Sequence, residues 1–136
     1  MKKNAFTLLE LLVVIGIIGI LVALATVSYS ATQSAGRDSR RKQDLVAIQN
    51  ALEQFYSNNV YSYPQGACTP AGEYIKGTWP EDPEGKPYLE YCSSDNYCVC
   101  AELEKLGSGN SGQVSGVVCN FSETGSKDYY CIENLQ

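Results

Sequence analysis

Apolar and polar positions along this chain fall into three successive patterns. Phe6 to Ala25 reads FTLLELLVVIGIIGILVALA, and no charged residue occurs between Leu11 and Gly36. A helix built from that run is apolar on every side and long enough to cross a bilayer. From Leu45 the pattern becomes one-sided. Leu45, Ile48, Leu52 and Phe55 share a helical stripe, while Asp44, Gln49, Asn50, Glu53 and Gln54 take the other side. Between the two, Thr26 to Ser39 is rich in Ser, Thr, Gln and Ala. The opposite charges Asp38/Lys42 and Arg40/Asp44, each four apart, support helix beyond it. No proline precedes Pro64, so Phe6 to about Asn58 reads as one helix. Its length would be roughly 80 Å at 1.5 Å per residue, more than a small domain needs, so part of it must meet lipid or other subunits.

The third pattern is short and alternating. Ser57-Asn58-Asn59 ends the helix. Tyr61 to Pro87 carries Pro64, Pro70, Pro80, Pro83 and Pro87 and reads as loop. Two strand-like runs, Tyr88–Cys92 and Tyr97–Leu103, flank the turn Ser93–Asn96. Their alternation places Leu89 and Tyr91 on one face, matched by Val99, Ala101 and Leu103. Leu106–Ser115 reads as a Gly/Ser loop, and Val117–Phe121 and Tyr129–Ile132 are further strand candidates. The expected fold class is α+β: a long N-terminal helix packed by its C-terminal half on a small antiparallel sheet. The expected segments are a leader over 1–5, the helix over 6–58 and a small β domain over 59–136. The helix divides into an apolar half (6–26) and an amphipathic half (27–58).

Composition adds cross-links to this outline. Some hundred residues beyond the apolar run bury only a modest core, which staples would support. The six cysteines, Cys68, Cys92, Cys98, Cys100, Cys119 and Cys131, all follow the apolar run. An even count beyond a membrane-targeting segment points to disulfides and an oxidising, extracytoplasmic location. A structural zinc site is the alternative; it is weakened because the chain has no His and no CxxC pair. Cys98 and Cys100 share a strand face, which Cys92 can join across the hairpin and Cys131 from a neighbouring strand. A bridge from Cys131 to the hairpin is favoured among the fifteen pairings that six cysteines allow.

Charge is unevenly spread. The chain carries a net −5, yet from Leu45 onward four lysines face twelve acids. An acidic domain repels phosphate, so no specific nucleic-acid partner is expected. Lys2 and Lys3 precede the apolar run and hold the N-terminus in the cytoplasm by the positive-inside rule, with the rest outside. Arg37 to Asp44 reads as a solvated or intersubunit helix face rather than a phosphate-binding strip. The acids Glu81, Asp82 and Glu84, and Asp95 with Asn96, are candidate Ca²⁺ ligands, but Pro83 interrupts the first group and no EF-hand spacing exists. A solvated turn is the better reading, and no cofactor is expected. Without His, a nucleophile elbow, a P-loop or a Rossmann glycine motif, the chain carries no enzyme signature.

One residue breaks the apolar run. Glu10 is a lone carboxylate at its head, costly in an apolar setting unless paired. Lys2-Lys3-Asn4-Ala5-Phe6-Thr7-Leu8-Leu9-Glu10 and the apolar tract resemble the class III signal of type IV prepilins and pseudopilins. The stretch Trp79-Pro80-Glu81-Asp82-Pro83-Glu84-Gly85-Lys86-Pro87-Tyr88 is similar to the W/L-P-x-D-P-x-G-x-P-Y loop of major pseudopilins and related pilins. The resemblance implies a pilin fold. It implies cleavage between Ala5 and Phe6, with Ala5 where the family usually has Gly, and N-methylation of Phe6 by a prepilin peptidase. It also implies a helical homopolymer of identical subunits, an inner-membrane assembly platform and its ATPase, and residence first in membrane lipid and then in an extracellular filament. Glu10 would pair with the Phe6 amine of a neighbouring subunit. The compact domain and full assembly signal suggest a major pilin, with a secretion pseudopilin as the alternative. Gly16 and Gly19 each weaken the helix by up to ~1 kcal/mol relative to Ala and let helices approach closely; any local melting in the filament is expected there. From a different class, Ala23-Leu24-Ala25 could end an ordinary signal peptide and free a disulfide-rich binding module. Glu10 inside the apolar run and helical pattern beyond Ala25 count against it.

Overall fold

The computed structural model describes residues 6–115, 118–121 and 125–136. The leader 1–5 with Ala5, and Val117 of the expected strand, lie outside the described residues. Contacts divide the chain into two units, Met1–Ser34 and Ala35–Gln136, and each is described by itself.

One helix, α1, runs from Leu8 to Asn58. Its first turn is closed by a capping box. The Thr7 backbone N–H donates to Glu10 Oε2 (2.9 Å), and the Glu10 N–H donates back to Thr7 Oγ1 (3.2 Å). In the first unit the helix runs unbroken through Gly16 and Gly19, where an added Cβ would meet nothing within 4 Å. All its large apolar side chains from Phe6 to Leu24 are exposed.

The second unit is the packed domain. Sidedness of the helix decides what is buried: Leu45, Ile48 and Leu52 are each 0% exposed. Burying each such side chain contributes roughly 1.5–3 kcal/mol. At the helix end, the Asn58 and Asn59 side-chain amides donate to the carbonyls of Gln54 (2.8 Å) and Phe55 (2.9 Å), and the Phe55 carbonyl also accepts the Asn59 backbone N–H (2.9 Å). Val60 and Tyr61 then turn the chain through left-handed backbone, with φ of 55° and 56°. Within the stretch expected to be all loop, Thr69–Tyr74 forms a 3-10 helix started by Pro70.

A three-stranded antiparallel sheet has the order β1 (Leu89–Cys92), β2 (Tyr97–Glu102), β5 (Tyr129–Glu133). A two-stranded sheet pairs β3 (Gln113–Ser115) with β4 (Val118–Asn120). Thus β3 occupies the end of the expected Gly/Ser loop. The hairpin register corrects the expected faces. Leu89 lies opposite Cys100 and Tyr91 opposite Cys98, so both belong to the cysteine face rather than with Val99 and Ala101. Closure at Cys92↔Tyr97 around the four-residue turn sets this, and a one-residue change of register swaps every face. The helix side of the sheet carries Cys92, Tyr97, Val99, Ala101 and Ile132, packed with Leu45, Ile48, Ala51 and Leu52.

The same register separates Cys92 from Cys98 and Cys100. Cys92 bridges Cys68 in the helix-facing core, whereas Cys98–Cys119 and Cys100–Cys131 lie on the other face. The Cys68–Cys92 bridge pins the segment after the helix to β1, closing 24 residues. Chain-entropy scaling gives such a loop ~3 kcal/mol. The paired change Cys68→Ser/Cys92→Ser is expected to lower domain stability by about that amount, read as the shift of the urea midpoint. An unchanged midpoint would show that the segment is held by its other contacts.

Glu53 ties both chain directions to the helix. Its carboxylate accepts the hydroxyls of Tyr63 (3.1 Å) and Tyr97 (2.9 Å) and the N–H of Leu135 (3.1 Å). Burial first, then this carboxylate, pushes both phenols well above their ordinary range.

Candidate functional site

The first site is the head of α1. Thr7 is the N-cap because its hydroxyl can serve the backbone donors of the first turn, and Glu10 falls three residues later. The Thr7 hydroxyl and N–H both donate to Glu10 Oε2, each at 2.9 Å. Oε1 accepts no bond among the described residues. So the lone acid is half satisfied by its own chain. Phe6, immediately before the cap, is 81% exposed. Behind them lies the exposed apolar run to Leu24. A contiguous apolar surface of this size marks a membrane or a partner.

The second site is a charge network within the domain. Arg41 is 0% exposed. Its Nη1 donates to Asp38 Oδ1 (2.8 Å) and Glu104 Oε1 (2.9 Å), and its Nη2 to Glu84 Oε2 (3.1 Å) and Asp82 Oδ1 (3.3 Å). Its Nε donates to Asp82 Oδ2. Arg37 grips Glu104 with two bonds, of 2.6 and 2.5 Å. Asp38 accepts the backbone N–H groups of Glu104 (2.9 Å) and Lys105 (3.0 Å). Every donor on the buried face of Arg41 therefore has a carboxylate, which is the condition for tolerating a buried charge.

Local sequence explains the loop's part. Gly85, at φ +76°, turns the chain so that its N–H reaches the Asp82 carbonyl (2.9 Å), while the Glu84 N–H reaches Asp82 Oδ1 (2.7 Å). Asp82 is thereby aimed at Arg41. Tyr88 closes the loop on the helix through a hydroxyl bond to Asp44 (2.8 Å). Trp79 Nε1 donates to Glu90 (2.6 Å). Burial alone would raise the Asp82 carboxyl, but Arg41 and the loop N–H groups hold it below its ordinary value. The bonds from Arg37, opposed by burial and aided by Arg41, hold Glu104 down to about 2.

This network corrects two expectations. The strip Arg37–Asp44 is not solvated throughout: Asp38 and Arg41 are buried, while Ser39, Arg40 and Gln43 are exposed. Asp82 and Glu84 are not a free turn or a ready Ca²⁺ group, because they serve Arg41. Nor do Asp38/Lys42 and Arg40/Asp44 form ion pairs among the described residues. Asp38 turns to Arg41, Asp44 to Tyr88, and Lys42 reaches the Ser108 carbonyl (3.3 Å). The sequence did hold a signal for the network. Positions 38 and 41 continue the 45, 48, 52 spacing, so two charged residues stand in phase with the buried stripe. Asp95 is exposed, and its neighbours Ser93 and Asn96 bond each other across the hairpin turn.

The chain was compared with known proteins. Residues 1–26 match the family model described as the prokaryotic N-terminal methylation motif. The type II secretion system core protein G of Aeromonas hydrophila is 34% identical over 103 residues, covering 64% of this chain and 71% of that protein. Its counterpart in Pseudomonas aeruginosa is 29% identical over 134 residues, covering 83% and 94%. The type IV major pilin protein PilA of Myxococcus xanthus is 38% identical over 56 residues, covering 41% and 26%. No solved structure matches.

Proposed function

The chain belongs to the family of type IV pilins and type II secretion pseudopilins, and from that premise we propose that it is the major structural subunit of a pilus-like helical filament. One observation carries this reading: an exposed, membrane-length apolar helix with a single acid at its capped head. Such a segment suits two environments in turn, lipid before assembly and a core of packed helices afterwards. The precursor would sit in the cytoplasmic membrane with Lys2 and Lys3 inside and the acidic domain outside.

Processing supplies the charge that Glu10 needs. A prepilin peptidase cutting between Ala5 and Phe6 frees an amine on Phe6, and methylation leaves it cationic. In the single chain Thr7 occupies only Oε2 of Glu10, so Oε1 remains for the Phe6 amine of a neighbouring subunit. That pairing sets axial register as subunits leave the membrane, with the assembly platform and its ATPase supplying the work. Gly16 and Gly19, open on all sides in the single chain, would let neighbouring helices approach in the filament, and any local melting belongs there. Assembly of this kind calls on no cofactor.

Mass spectrometry of the mature N-terminus tests the reading. N-methylated Phe6 is the expected first residue. A chain starting near Thr26 would overturn it in favour of a secreted module freed by signal peptidase. A second reading, a secretion pseudopilin, is favoured by the longer alignments to core protein G. Long surface fibres at wild-type expression support the pilus; short fibres with calcium-dependent stability support the pseudopilus.

A further inference from the structure

Four of the six cysteines converge on the sheet face turned away from the helix. Cys98 and Cys100 stand two apart on β2, Cys131 is the cross-strand partner of Cys100 on β5, and Cys119 comes from β4. All four are buried, and their Sγ atoms lie within 4.8 Å of one another. The Cys98 and Cys100 sulfurs belong to different bridges yet are 3.5 Å apart. Cys68 and Cys92 sit apart from them in the other core.

We propose that the folded domain, before these two bridges form, binds one Zn²⁺ ion through the thiolates of Cys98, Cys100, Cys119 and Cys131. A tetrahedral zinc site has Zn–S bonds of about 2.3 Å, hence sulfurs about 3.8 Å apart. Between the two bridges, the Cys98 and Cys100 sulfurs at 3.5 Å are close to that scale, and all four sulfurs lie within 4.8 Å of one another. Closed four-thiolate sites need no histidine, so its absence from the chain is no obstacle.

The backbone around the cluster is held by bonds that do not involve sulfur. β2 and β5 are registered over five residue pairs. The Asn110 side chain accepts the Cys131 N–H (2.7 Å) and donates to the Cys131 carbonyl (2.8 Å). Gly109 packs so tightly that an added Cβ would lie 2.0 Å from the Tyr129 carbonyl oxygen. These contacts hold the backbone of Cys98, Cys100 and Cys131, and the β3–β4 pairing holds that of Cys119, while the sulfurs are reduced.

The chemistry balances without a further reactant at the binding step. Four thiols release four protons as the ion binds, leaving a tetrathiolate complex with two net negative charges. Disulfide formation then excludes the metal. Each bridge forms as two thiolates give up two electrons to a disulfide donor, which leaves as two thiolates that take up two protons from water, and the ion is released. The metal-bound and bridged forms are thus mutually exclusive states of one cluster.

The test uses the full chain in detergent, reduced anaerobically with a phosphine, with Co²⁺ as the spectroscopic probe. The expected result is one equivalent bound, with thiolate-to-cobalt charge-transfer and tetrahedral absorption bands that Zn²⁺ displaces. Cys68→Ser/Cys92→Ser keeps that equivalent. Cys100→Ser weakens binding by at least about tenfold, since even outer-shell losses cost about 10–100-fold, and loses the four-sulfur spectrum. Trp79 fluorescence monitors folding throughout. A folded, reduced chain without the charge-transfer band overturns the proposal. So does a reduced chain that stays unfolded with the metal present, or binding that disappears with Cys68 and Cys92.

Discussion

A Glu10→Val chain is expected to form no filaments while its precursor accumulates in the membrane at the wild-type level. The valine removes the one charged group in an apolar run that continues to Leu24, so membrane insertion is helped rather than hindered. The loss falls on the later stage. In the proposed assembly, processing frees the Phe6 amine and that cation enters the helix core beside a neighbouring subunit. Without Glu10 it has no counter-ion there, and breaking a buried pair by removing one partner costs about 3–5 kcal/mol. Every subunit in a helical polymer bears this cost, so growth fails rather than slows. Electron microscopy and immunoblots of sheared and membrane fractions would read the outcome. Normal filaments from Glu10→Val would remove the carboxylate from assembly.

Thr7 separates two roles of that carboxylate. It caps the helix and orients Glu10 through Oε2, whereas the proposed intersubunit pair uses Oε1. Losing the cap alone costs about 1 kcal/mol, well below the cost of an unpaired charge. Thr7→Val should therefore leave filaments in reduced number, a graded effect where Glu10→Val gives an absolute one.

How much of this was legible in the sequence follows from the physics of each element. The long helix could be read because its apolar run, its one-sided stripe and its lack of proline all agree. The proposed assembly site starts from a lone acid in an apolar run, which is anomalous by itself. The capping bond between Thr7 and Glu10 was present as a Ser/Thr-x-x-Glu spacing, at a carboxylate whose apolar setting is the stronger signal. The sheet faces were misread because a four-residue turn does not announce its closing pair, and register alone decides which side Leu89 and Tyr91 take. The ionic network was missed for a different reason. Hydropathy reads Arg41 and Asp82 as solvent-facing, and only three-dimensional closure brings residues 41 apart in the chain together. The phase of positions 38 and 41 with the apolar stripe was the available clue. An i,i+4 pairing rule, which suits exposed helices, hid it.

That network makes the second large prediction, which concerns the domain rather than the assembly helix. Arg41→Met fills similar space but strips Asp38 and Asp82 of their only ion pair among the described residues, leaving Arg37 to Glu84 and Glu104. Unpaired buried carboxylates should lower stability at neutral pH by about 3–5 kcal/mol, a large share of the roughly 5–15 kcal/mol that holds a domain. The pH dependence distinguishes this cause from lost packing. In the wild type, Asp82 and Glu104 are held below their ordinary values of 3.8 and 4.5. Depressed carboxylates bind fewer protons folded than unfolded, so their contribution is complete above those ordinary values. It is lost as pH falls from there towards about 2, where folded Glu104 itself takes up a proton. In Arg41→Met, Asp82 loses the cation that depresses it while Glu104 keeps Arg37, and protonation of the clustered acids relieves their repulsion. Its stability should therefore rise, or stay level, as pH falls from 7 to 4, and its deficit against the wild type should shrink further towards pH 2. Urea unfolding of the full chain in detergent, followed by the fluorescence of the single tryptophan, Trp79, measures both slopes. Adding Asp82→Asn to Arg41→Met should recover part of the loss, because a neutral amide needs no counter-ion. A deficit that stays constant across pH, unrelieved by Asp82→Asn, would mean that Arg41 acts through packing and not through charge.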